Sequence, residues 1–98
     1  MKRRKVRFHR NFSRDVNAQA AWLKRNHRPE WVAPLRQAIT EASALLAAIP
    51  YAGVRSESAP LFKLVLRKLP FVVWYSAREG ERELVMLRLF HTKQDRPR

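Results

Sequence analysis

The feature that most restricts this chain lies between Pro29 and Pro50. Trp31, Leu35, Ala38, Ala42, Leu45 and Ile49 recur at steps of four and three, and Ile39 and Leu46 widen the stripe. That spacing follows the 3.6-residue turn of an α-helix and puts the apolar side chains on one face. Pro29 suits the first helical position, where an amide hydrogen is not needed, and Pro50 stops the helix. A helix with one apolar face must bury it against a second layer. With 98 residues the chain is expected to be one domain, so the second layer has to come from the same short sequence.

The flanking segments supply candidates for that layer. Between Lys5 and His9, Val6 and Phe8 alternate with basic residues, the period-two pattern of a short edge strand. Asn11 can cap a first helix carrying Phe12, Val16, Ala20 and Leu23 on one stripe and ending near Asn26. The short gap to Pro29 predicts an antiparallel helical hairpin. Tyr51 to Pro60, with Gly53, Ser56 and Ser58, reads as a loop.

Three strand-like runs follow. Phe62 to Arg67 alternates, with Phe62, Leu64 and Leu66 opposite Lys63, Val65 and Arg67. Phe71 to Ser76 is apolar on both sides, as a central strand should be. Leu84 to His91 sets Val85, Leu87 and Leu89 opposite Leu84, Met86, Arg88 and Phe90, after a hairpin turn at Arg78-Glu79-Gly80-Glu81. The expected fold is therefore α+β: an N-terminal strand, a helical hairpin, then a three-stranded antiparallel meander, forming one antiparallel sheet under the helices. Lys93 to Arg98 is polar and is expected to fray.

Charge narrows the function. Lys and Arg number 21 against 8 Asp and Glu, a net +13, and Lys2, Arg3, Arg4, Lys5, Arg7, Arg10 and Arg14 precede or surround the first helix with no acid before Asp15. Such a surface attracts nucleic acid, anionic lipid or an acidic protein, and composition leaves all three open. The absence of cysteine excludes disulfides, thiolate catalysis and cysteine zinc sites. No apolar run approaches the roughly 18 residues of a membrane span, and the basic N-terminus lacks the apolar stretch of a secretory signal. A soluble cytoplasmic protein without a membrane partner is expected.

Several motifs, taken in order, resemble the ParE/RelE superfamily, the toxin halves of bacterial type II toxin–antitoxin modules. The resemblance spans nearly the whole chain. The first helix carries Phe12, Asp15 and Val16 where such toxins place an aromatic or small residue and an acidic-apolar pair. The second helix closes with Leu45 to Pro50 followed by Gly53. Leu69-Pro70-Phe71-Val72-Val73-Trp74-Tyr75 is similar to the family's proline-led strand ending in Tyr. Val85 to His91 resembles its closing strand, followed by the basic tail Thr92-Lys93-Gln94-Asp95-Arg96. Two positions depart: Phe62 and Lys63 stand where the family usually has Arg, and Thr92 stands where several RNA-cleaving members carry an aromatic.

The resemblance implies two activities. A ParE-like toxin would inhibit DNA gyrase without chemistry of its own, using Arg67, Lys68, Arg88 and Lys93 toward its target or a cognate acidic antitoxin. The departures above favour this reading. A RelE-like, ribosome-dependent mRNA endonuclease would instead use Lys63, Arg67 and Arg88 to stabilise the transition-state phosphate, with His91 or Tyr75 carrying the proton. Each of these residues also has an ordinary structural use: a solvated sheet face, a strand-closing histidine, a core tyrosine with its hydroxyl at the rim. Either activity implies a toxin–antitoxin hetero-oligomer. No cofactor is expected, and His9, His27 and His91 lack metal-ligand spacing. A third reading is a basic nucleic-acid-binding module with no toxin role, in which Lys2 to Arg14 contact phosphates and Trp22, Trp31 and Trp74 stack on bases.

Overall fold

A computed structural model describes residues 3–57, 60–66, 68–78, 80 and 82–93. Its elements run β1 (Lys5–Phe8), α1 (Arg10–Arg25), a 3₁₀ turn (Pro29–Trp31), α2 (Val32–Ala48), β2 (Val54–Arg55), β3 (Leu61–Val65), β4 (Phe71–Ala77) and β5 (Glu83–His91). The strands form one sheet in the order β1-β5-β4-β3-β2. Both helices contribute to a core closed by the sheet: Phe12, Val16 and Leu23 from α1 and Leu35, Ile39, Ala42 and Leu46 from α2 pack with Phe62, Phe71, Val73, Tyr75, Leu84, Met86 and Leu89.

The α+β class, the helical pair and the β3-β4-β5 meander stand as the sequence predicts, with two changes to the sheet. First, β1 runs parallel to β5, pairing Lys5 with Glu83 through Phe8 with Met86, so the sheet is mixed and not wholly antiparallel. Two helices separate β1 from the meander, a crossover long enough to return the chain in the same direction. Second, the expected loop after Pro50 contains β2, whose Val54 and Arg55 pair with Lys63 and Phe62. A two-residue strand is too short to show any alternation in sequence.

Local chemistry explains the helix boundaries. His9, not Asn11, caps α1: its Nδ1 accepts the Asn11 amide hydrogen at 3.0 Å. At the far end Asn26 donates its side-chain amide to the Trp22 carbonyl at 2.8 Å, and His27 leaves the helix at φ 58°. Lys24 and Arg25 occupy the last turn, favourably placed against the helix dipole. Pro29 opens the 3₁₀ turn, so α2 itself starts at Val32 and takes Pro34 into its first turn, where a missing amide hydrogen costs no helical bond.

The α2 stripe divides. Leu35, Ile39, Ala42 and Leu46 are buried, whereas Trp31, Leu45 and Ile49 stand exposed at its flank. An apolar band two rows wide exceeds what one helix lays on this sheet, so one row meets the core and the other remains outside.

The remaining boundaries follow the backbone hydrogen bonds. β3 stops at Val65, and Leu66 closes the hairpin by donating its amide hydrogen to the Phe71 carbonyl at 2.9 Å. Arg67, Glu79, Glu81 and the tail beyond Lys93 lie outside the described residues.

A bulge sets the face of β5. Phe71–Trp74 pair with His91–Arg88 in regular register, but Tyr75 pairs with Met86, leaving Leu87 as the extra residue. Leu84 and Met86 point into the core ahead of it, and Leu89 does so after it. Strict alternation, which puts Leu89 opposite Leu84 and Met86, therefore fails at Leu87.

Candidate functional site

Paired residues on neighbouring strands share a face of the sheet. The register aligns Val54, Lys63, Trp74 and Arg88 in one row across β2, β3, β4 and β5, on the face turned away from the helices. The Lys63 ammonium lies over the Trp74 ring, 5.1 Å from its centroid, and the Arg88 guanidinium lies 4.9 Å from that of Phe90. The face thus combines cations with aromatic surface, a composition suited to an acidic partner with apolar residues of its own.

Arg88 is held from the side. Asp15 on α1 takes Arg88 Nε at 2.7 Å and Nη2 at 3.1 Å, a two-pronged pair. The same carboxylate accepts the Leu89 amide hydrogen at 2.9 Å. This amide lies past the end of β1, whose last partner on β5 is Met86, so Asp15 satisfies an edge donor that no strand reaches. The hydrogen bond to Asp15 raises the Arg88 pKa above its ordinary value, against a smaller opposing effect of burial.

Tyr75 faces the other way. It is fully buried, stacks on Phe62 with centroids 5.4 Å apart, and its hydroxyl accepts the Gly53 amide hydrogen at 3.0 Å. Burial raises its pKa, partly offset by the Gly53 hydrogen bond. Gly53 has to be glycine because a side-chain carbon there would collide with the Lys63 carbonyl and sit 2.7 Å from the Tyr75 hydroxyl. Tyr51 meets Phe62 at a tilt, with centroids 5.5 Å apart, and Arg4 lies over the Tyr51 ring.

His91 pairs with Phe71 and so lies on the helix side. Its ring meets the Phe71 ring edge-on at 5.5 Å, and its Nδ1 accepts the Lys93 amide hydrogen at 3.1 Å. The structure therefore brings Lys63 and Arg88 together on the open face, buries Tyr75 beneath it, and sets His91 at a different corner. Lys68 and Lys93 are exposed at the His91 corner and not beside Lys63. Among the described residues no three metal-ligating side chains gather.

Three features escaped the sequence reading. Asp15 was visible as the first acid of the chain, but its grip on β5 depends on the bulge. The exposure of Trp22 and Trp31, 48% and 40%, does not follow from their places in the sequence. A hollow of about 490 Å³ between α2 and β3, lined by Ala38, Glu41, Leu45, Leu64 and Val65 among others, has exposed apolar neighbours in Ile49 and Val54.

Over 90% of its length this chain superimposes on 95% of a chain from the chromosomal ParDE TA system of P. aeruginosa, with a TM-score of 0.75 and 23% identity. The two share a fold. The α+β architecture expected from the resemblance is thereby shared with a solved ParDE chain. No protein-family model and no curated relative matches the sequence. Among the described residues no helix of this ParDE-like fold is long and apolar enough to cross a membrane.

Proposed function

We propose that this chain is the toxin of a type II toxin–antitoxin module, that it acts in the ParE manner by inhibiting DNA gyrase, and that a cognate acidic antitoxin neutralises it. The shared fold with a ParDE chain supports the module. The observation that carries the choice of mechanism is the separation of candidate groups. Lys63 and Arg88 stand on the open face, the Tyr75 hydroxyl is interior and bonded to Gly53, and His91 is on the helix side. General acid–base cleavage needs its proton carrier within hydrogen-bond reach of the phosphate that the cations hold. Among the described residues this arrangement presents charge and aromatic surface without a proton carrier from the expected set beside them, which favours recognition over cleavage.

The antitoxin reading draws on two further features. A net charge of +13 attracts an acidic partner, and the apolar border of the α2–β3 hollow gives that partner something to bury. An acidic segment with an apolar face would satisfy both by ordering as it binds.

The test is induced expression of the chain alone and together with the adjacent small acidic gene, following growth, DNA supercoiling and mRNA integrity in the same cultures. Growth arrest with altered supercoiling and intact mRNA, relieved by co-expression, is the expected result. Cleaved mRNA would transfer the activity to the RelE manner, and normal growth would remove the toxin reading altogether.

A further inference from the structure

At the corner where α1 ends, Trp22 and Trp31 line one hollow of about 310 Å³, together with Arg28, Lys68, Pro70 and His91. Phe71 and Leu69, both buried, form its floor. A second hollow of about 510 Å³ is bounded by Trp22, Arg25, His91 and Lys93, so Trp22 and His91 line both. No Asp or Glu among the described residues lines either hollow. Arg25, Arg28 and Lys68 have no acidic partner among the described residues.

The backbone here is under constraint as well. His27 at φ 58° and Lys68 at φ 68° are the two non-glycine residues with positive φ among the described residues, and they lie on the two loops that meet at this corner. At His27 that conformation ends α1, where the Arg28 amide hydrogen returns to the Leu23 carbonyl at 2.8 Å, and at Lys68 it turns the chain between β3 and β4. Lys68 lines the hollow from that conformation, and His27 turns the chain so that Arg28 reaches it.

We propose that this corner binds a single-stranded nucleic acid, with an unpaired base entering between the two indoles and its phosphates meeting Arg28 and Lys68. The volume suits one base with its sugar, at the low end of small-ligand sites of roughly 300–1,000 Å³. Indole faces attract any base by stacking, and unpaired cations attract the backbone. Trp22 lines both hollows, so the strand continues past it toward Arg25 and Lys93. An acidic peptide would use the cations but could stack on the indoles only where it carried an aromatic residue, whereas every base of a nucleic acid has a planar face, which sets nucleic acid ahead of protein here. The binding involves no bond-breaking and is independent of the toxin reading.

The experiment titrates the full-length protein into a fluorescein-labelled oligothymidylate and follows anisotropy at several salt concentrations. Trp22→Ala or Trp31→Ala is expected to weaken binding roughly ten-fold, since both indoles are half exposed and their loss leaves the fold in place. Lys68→Gly relieves the left-handed strain, so stability holds or rises while affinity falls and the salt slope lessens by roughly 0.7. Circular dichroism on each variant confirms the fold. Unchanged affinity in both tryptophan variants would overturn the proposal, leaving only the unspecific attraction of a basic surface. Equal competition by duplex DNA, inorganic polyphosphate or a polyglutamate peptide would overturn it too.

Discussion

The two faces of the sheet are built from the same three strands and have opposite characters. On the helix side, Phe62, Tyr75 and Met86 form a cross-strand row that is buried and linked to Gly53 by a hydrogen bond. One position along on each of β3 and β4, Lys63 and Trp74 form a row with Arg88 that carries charge and contacts Asp15 only at its margin. One face is committed to holding the fold, and the other is the one assigned to a partner in the function proposed above. The comparison makes quantitative demands: substitutions on the first face should damage stability, and those on the second should damage association.

The largest effect is expected from Gly53→Ala. The new methyl group would enter the space of the Lys63 carbonyl and the Tyr75 hydroxyl, forcing β2 away from β3 or Tyr75 out of the core. A loss of about 2–3 kcal/mol follows from overpacking of this kind. It would lower Tm by roughly 10–20 °C, measurable by calorimetry. A neutral outcome would show that β2 yields easily and that the covered face is looser than its packing implies.

Asp15→Ala tests the margin between the faces. It strands the Leu89 amide hydrogen and releases Arg88, for an expected loss of about 2 kcal/mol in denaturant unfolding. Arg88→Ala removes only the pair, and because that side chain is 45% exposed the loss should stay within about 1 kcal/mol. Equal losses would mean that Asp15 acts mainly through Arg88 and not through the strand edge.

Tyr75→Phe is smaller at neutral pH, about 1 kcal/mol for the unpaired Gly53 amide. Its signature is the alkaline limb. Tyr75 has a folded pKa raised from 10.0, so as pH rises past 10.0 the unfolded chain loses this proton first and the folded chain keeps it. The unfolded state then binds fewer protons, and stability, complete below pH 10.0, falls as pH rises. Urea unfolding from pH 8 to 11 should show that decline in the wild type and a shallower one in Tyr75→Phe.

The smallest stability effect belongs to Val65→Lys, on the exposed side of β3 at the rim of the α2–β3 hollow. Its unfolding free energy should change by no more than about 0.5 kcal/mol. Its complex with the co-expressed acidic partner should nevertheless weaken in a pull-down at fixed salt. Loss of stability without loss of association would reverse the roles assigned to the two faces.

Much of this architecture was legible in the chain. The α1 stripe Phe12, Val16, Ala20 and Leu23 is buried as its spacing predicts, because a helix period and a buried face are the same statement. The alternation of Phe62, Lys63, Leu64 and Val65 likewise separates core from open face correctly. The alternation left the face of Arg88 open, and the bulge at Leu87 is what sets it in one row with Lys63. One error has an identifiable cause. Leu45 and Ile49 belong to the apolar pattern of α2, but sequence cannot say which of two adjacent rows the sheet will cover.

What the sequence determined by itself was periodicity and charge: two amphipathic helices, a strand at each end of the pattern, and a strongly basic surface. These are local or additive properties, carried by the spacing of side chains and the sum of their charges. Only the tertiary structure decided that Leu87 is left out of the ladder, that Asp15 reaches the edge of β5, that His91 and Arg88 part company, and that two indoles meet at one corner. Each depends on how elements far apart in the chain come into register, and a slip of one residue in a strand exchanges every side chain between the buried face and the open one.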